Sequence, residues 1–174
     1  MTELRDLMVR VARLERRATL VGGLEGRDLS GRDLKGMNLS NANLKGANLE
    51  MADLRGADLR GAVLDGAVLT GAALSEANLK GASLVGVSLD RAYLKDAILE
   101  ETNLTNATLK RADLTDANLW LANLAYADLS NADLKGANLR GANLEEAILK
   151  RATYSASTTL PYLSRSQIKS MIKL

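Results

Sequence analysis

Leucine recurs along this chain with a period that belongs to neither regular secondary structure. It occupies position 24 and then every fifth position to Leu149, 26 times without a break, and Tyr154 takes the next place. Two residues before each leucine the same period shows alanine, from Ala42 to Ala82, at Ala92 and Ala97, and from Ala107 to Ala152. Between the two sits mostly Asn or Asp, as in Ala47-Asn48-Leu49 and Ala132-Asp133-Leu134. A helix repeats every 3.6 residues and a strand every 2.0. On a helix these leucines would spiral around the whole surface, and on a strand alternate ones would face opposite ways. The period predicts a backbone that turns once per five residues, so that every Leu points to one axis. Alanine is small because the sides of such a coil share a narrow interior. Glycine stands two residues after many leucines (Gly26, Gly36, Gly46, Gly56, Gly66), where a corner needs an unusual backbone angle. Stacked coils then complete each other's core.

The unit Ala-(Asn/Asp)-Leu-x-x resembles that of the pentapeptide-repeat family, and the resemblance covers residues 24–154. It implies an all-β solenoid, a right-handed quadrilateral β-helix of four pentapeptides, or 20 residues, per coil. Residues 21–154 would form about 6.5 coils of it, a rod about 30 Å long at the usual strand spacing of about 4.8 Å. Twenty-residue coils assign four faces, beginning at Leu24, Leu29, Leu34 and Leu39. No insertion interrupts the register, so no protruding loop is expected. Arg27, Arg32, Met37, Val87 and Thr102 depart from alanine at the small position. Two buried, unpaired arginines are untenable, so the first coil is expected to open toward solvent or a cap.

Short α-helices are expected at both ends. Over residues 1–20, Leu4, Leu7, Met8, Val11 and Leu14 recur at helical spacing opposite a charged face. A cap over the first coil is favoured there above a dimerisation or membrane-surface helix. In the segment 155–174, Ser164 and Gln167 fit a capping box, and Leu163 with Ile168 a hydrophobic staple. Ile168, Met171 and Ile172 would form the apolar stripe that docks this second cap.

Composition removes most chemistry. Cys, His and Phe are absent. That leaves no disulfide framework, none of the usual transition-metal ligands and none of the commonest general base. The acidic residues fall mainly at outward places of the repeat, and the glycines follow the five-residue period rather than a phosphate-binding loop. No catalytic residue, metal ligand, cofactor site or small-molecule substrate is assigned, and the chain is read as not an enzyme. The N-terminal segment lacks the apolar core of a signal peptide and no stretch is long enough to span a bilayer, so a cytoplasmic, bacterial-type protein without membrane contact is the expectation.

Some relatives in the family protect DNA gyrase and are understood as mimics of duplex DNA. Mimicry asks for one negative charge per about 1.7 Å. Residues 24–154 hold 18 acidic and 15 basic side chains, a net of −3, which counts against that alternative. Direct nucleic-acid binding is disfavoured too, because no face reads as a basic stripe and stacking aromatics are few. The remaining reading is a protein–protein interaction or scaffold module with an unidentified protein partner. A purely structural or consensus-like designed repeat is a further alternative. The candidate patch comprises the outward apolar residues Ile98, Trp120, Leu121 and Tyr126, with Tyr93 on the preceding face. The oligomeric expectation is a monomer, or a homodimer through a terminal helix.

Overall fold

The computed structural model describes residues 23–174, and the helix expected over residues 1–20 lies outside them. Within the described chain each residue before a leucine bridges, in parallel, the residue 20 positions on, from Asp28↔Asn48 to Asp133↔Thr153. The period therefore closes after four pentapeptides. All 26 leucines of the series are buried, and those from Leu44 to Leu139 have no measurable exposure. The alanine column is buried beside them, together with Val87 and Thr102. Thr102 resolves its hydroxyl inside the core by donating to Leu99 O at 2.7 Å.

The repeat is legible as backbone accounting, since buried N–H groups must be paired. In the unit at Leu44, the leucine N–H donates to Val63 O of the next coil at 2.8 Å, and Gly46 N–H to Asp65 O at 2.9 Å. Ala47 N–H closes the turn onto Leu44 O at 3.0 Å, and Asn48 N–H reaches back to Arg27 O at 2.9 Å. The fifth donor, Lys45 N–H, has no backbone acceptor and is taken by the side chain of Asn43 at 3.2 Å. That last bond explains the Asn/Asp column. Its oxygen serves mainly its own turn rather than the backbone of the stack. Amides then link coil to coil, as in Asn138 Nδ2 to Asn118 Oδ1 at 3.0 Å.

The corner residue, two after each leucine, adopts a left-handed backbone with φ from +52° to +72°. Glycine takes that angle freely, yet 14 non-glycine residues, Leu121 and Tyr126 among them, hold it too. In the first described coil Arg27 and Arg32 are exposed, as their charge requires, and Met37 is half-buried against the core.

At the other end the register shifts. Asn138 bridges Thr159 rather than residue 158, because the turn at Ser155–Thr158 carries one extra residue. Strand β1 (Thr153–Tyr154) pairs in parallel with β2 (Ile172–Lys173), and between them lies helix α1 (Arg165–Ser170). Ser164 and Gln167 form the expected capping box. The expected apolar stripe does not form. No residue of α1 is buried, and Ile168 and Ile172 are exposed. Leu163 and Met171 are the buried pair that plugs the last coil. The helix stops at Ser170, so Ile172 enters a strand and turns outward instead of continuing the stripe.

Candidate protein-binding surface

Outward side chains occupy three columns per face, and each column is set by its distance from leucine. Ile98 stands in the Asn/Asp column of the fourth face, stacked between Asn78 and Asn118, and is half-buried there. Trp120 follows Leu119 on the same face one coil later and is also half-buried. Its N–H donates to Asn118 Oδ1 at 3.2 Å, and its carbonyl accepts from Glu101 N at 2.9 Å. Leu121 turns the corner with φ +56° and is 48% exposed. Its Cδ2 lies 2.7 Å from where a Cβ on Gly141 would stand, so glycine is what lets the leucine lie across the next coil.

The other two candidates lie elsewhere on the rod. Tyr126 closes the first face at the next corner, and Tyr93 belongs to the third face between Ala73 and Asp113. Both are more than half exposed. The structure thus brings Ile98, Trp120 and Leu121 onto one face, with Tyr126 and Tyr93 on the faces either side. Successive pentapeptides cannot share a side when each pentapeptide is one side of a square.

Part of the charge on the rod is paired in place. Arg60 holds Asp58 through Nε and Nη2 at 2.8 and 2.6 Å, Arg55 grips Asp53 in the same two-pronged way, and Lys135 lies 2.8 Å from Asp133. The Arg55 hydrogen bond, helped by the turn N–H of Arg55, holds the Asp53 carboxyl down at about 2. Two carboxylates of the third-face column are therefore neutralised by cations two residues away. Among the described residues, no cluster of acidic side chains could hold a metal ion, and no helix is long and apolar enough to cross a membrane.

Sequence reasoning missed three exposed apolar residues, Met51, Ile148 and Tyr162. Tyr162 and Ile148 line an open cleft of about 740 Å³ between the last coil and the segment 161–167. The leucine period locates columns, but it says nothing about where a non-repeating tail crosses the final coil.

A four-sided coil of leucine-centred pentapeptides is also what comparison with known proteins returns. The family model for pentapeptide repeats matches eight copies across residues 28–61, 52–90, 88–124 and 112–151. The chain belongs to the pentapeptide-repeat family. Its coil is accordingly a right-handed β-helix solenoid. HetL, a pentapeptide-repeat protein involved in heterocyst differentiation regulation in the cyanobacterium Nostoc, is 26% identical with a TM-score of 0.59, over 83% of this chain and 78% of HetL. Rfr23 from the cyanobacterium Cyanothece is 28% identical over 88% of this chain and 98% of its own, at a TM-score of 0.35. Full-length QnrB1, a plasmid-mediated fluoroquinolone resistance protein, is 20% identical over 82% of both chains, at a TM-score of 0.44. No curated protein matches the sequence.

Proposed function

We propose that this pentapeptide-repeat protein is a non-catalytic scaffold that binds a protein partner through the side of its rod at Ile98, Trp120 and Leu121. The observation that carries the reading is the corner at residue 121. An apolar side chain there is 48% exposed while its backbone holds a left-handed angle that glycine adopts at 12 described corners. The fold gains no core from Leu121, and non-glycine left-handed backbone costs about 1–3 kcal/mol. The only Trp of the chain stands beside it. Trp is favoured at the centre of interfaces, with charged residues at the rim. Glu100, Glu101 and Arg140 take that rim place in the neighbouring coils. Mimicry of duplex DNA draws no support here, because Asp53 and Asp133 are paired with Arg55 and Lys135.

Trp120→Ala tests the reading. None of the core leucines relies on this side chain, so thermal stability should change by no more than about 0.5 kcal/mol. Proteins captured from a lysate by the immobilised wild-type chain should be lost, with the affinity of the main one falling by about 2 kcal/mol or more. Equal capture by the variant sinks the proposal. A large drop in stability would make Trp120 a packing residue. A change in supercoiling by gyrase that survives Trp120→Ala but not neutralisation of Asp33, Asp53, Asp113 and Asp133 would favour the DNA-mimic alternative.

A further inference from the structure

The corner between the second and third faces carries a feature that no linear stretch of sequence displays. Arg91 N–H donates to Lys110 O at 2.8 Å, Arg111 to Ser130 O at 3.0 Å, Asn131 to Lys150 O at 2.9 Å and Arg151 to Ser170 O at 2.7 Å. These bonds stack positions 91, 111, 131 and 151 in one column, with 90, 110, 130 and 150 directly beside it. Five cations fall in this strip: Arg91, Lys110, Arg111, Lys150 and Arg151. All are exposed, and the only carboxylate within the strip is Asp90. At one coil per about 4.8 Å, the strip runs about 14 Å along the rod.

The same two columns in the first three coils read Ser30-Gly31, Glu50-Met51 and Thr70-Gly71, without a single cation. The basic ridge is thus confined to the C-terminal coils and gives the rod electrical polarity that its near-neutral total conceals. Elsewhere the cations Arg55, Arg60, Lys80 and Lys135 are held by carboxylates. On the ridge only Lys110 has an ion-pair partner among the described residues, Asp128 at 3.3 Å. Arg91, Lys110 and Arg111 converge with Asp90 and Asn131 around an open hollow of about 260 Å³. Unpaired cations in a row repel each other and stabilise no part of the fold.

We propose that this ridge is the docking line for an extended acidic segment of a partner protein. Its width selects the occupant. Carboxylates flank it on both sides, Asp128 on the second face and Asp113 and Asp133 on the third. A duplex or an anionic membrane is broad enough to lay negative charge on those aspartates. A single nucleic-acid strand is narrow enough, but it wants a series of aromatic platforms, and Tyr93 is the one exposed aromatic on either adjoining face. An extended peptide puts alternate side chains about 6.6 Å apart along one edge. Three acidic residues at alternate positions therefore span the ridge from Arg91 to Arg151. The contact lies away from Trp120 and does not depend on the apolar surface.

A fluorescently labelled synthetic peptide of alternating Glu and Ser residues, titrated with the full chain and followed by anisotropy, tests this directly. Binding should saturate at low salt and weaken about 10-fold or more between about 0.05 and 0.5 M salt. The triple variant Arg91→Gln, Arg111→Gln, Arg151→Gln should weaken it about 10-fold or more, with an unchanged circular dichroism spectrum. A matched triple on the other faces, Lys35→Gln, Lys45→Gln, Arg140→Gln, should stay within about 2-fold of the parent chain. Asp90→Asn keeps the acceptor for Lys110 N–H while removing the opposing charge, and should tighten binding. Trp120→Ala should leave it unaltered, so this ridge and the apolar surface stand or fall separately. Absence of saturable binding, or equal loss in both triple variants, overturns the proposal. Tighter binding of an oligothymidylate of the same length, or of anionic lipid vesicles, would overturn the choice of a peptide.

Discussion

Replacing Ala117 with arginine should unfold the middle of the rod, although arginine already stands at the same repeat position twice in this chain. Ala117 has no measurable exposure and sits between leucine layers in the narrowest part of the coil. Arg27 and Arg32 occupy the equivalent place in the first coil and are exposed, and Arg27 sends its guanidinium to Gly23 O at 3.2 Å. The difference is the number of coils on either side. In the first described coil the arginine side chains reach solvent. One in the middle would have to bury a charge without a partner, which costs far more than the whole stability of about 5–15 kcal/mol of an ordinary domain. The expected outcome is loss of the cooperative thermal transition for Ala117→Arg. Arg27→Ala should retain that transition. A folded Ala117→Arg protein with a near-native melting temperature would show that the interior is not closed.

The second large effect belongs to the leucine ladder. Leu104 is fully buried in a central coil, whereas Leu24 retains 7% exposure in the first described coil. Leu104→Ala removes a side chain that the rigid coils on both sides cannot collapse to replace, so urea denaturation should show a loss of about 3–5 kcal/mol. Leu24→Ala has a neighbouring described coil on one side only and should lose clearly less. A solenoid's stability is close to a sum of coil terms and nearest-neighbour interfaces, and an interior coil contributes to two interfaces. Equal losses for the two variants would argue against stacking of this kind.

Much of this was open to inspection in the sequence because one rule, repeated 26 times, overrides local preference. The period placed Leu44 to Leu139 on the axis and Ile98 between Asn78 and Asn118, and the structure agrees at each position. The readings failed where the rule ends. Ile168 and Ile172 looked like one helical stripe, but α1 stops at Ser170 and the segment is recruited as a strand by Thr153 and Tyr154. The backbone of the last coil needed partners, and that need outweighed helical spacing. The role of the Asn/Asp column was not legible either. Sequence alone cannot tell a side chain that bonds along the stack from one that takes its own turn's spare N–H. The basic ridge went unseen because it is assembled from short stretches 20 residues apart, some of them flanked in sequence by acids, as Arg111 is by Asp113.

Every surface described, the apolar one and the basic one, depends on the 20-residue register. With no native cysteine, that register can be measured chemically. Ser88 and Thr108 are bridged across neighbouring coils. Adjacent strands bring such residues to about 4.8 Å, inside the range of about 4.4–6.8 Å between Cα atoms that a disulfide spans. The double variant Ser88→Cys, Thr108→Cys should oxidise readily in the folded state, losing two hydrogens by mass and migrating faster on a non-reducing gel. Ser88→Cys with Asn103→Cys, a pair 15 residues apart and on different faces, should stay reduced under the same conditions. Rapid closure of the second pair, or failure of the first in a protein that remains folded, would contradict the four-sided coil and both surfaces built on it.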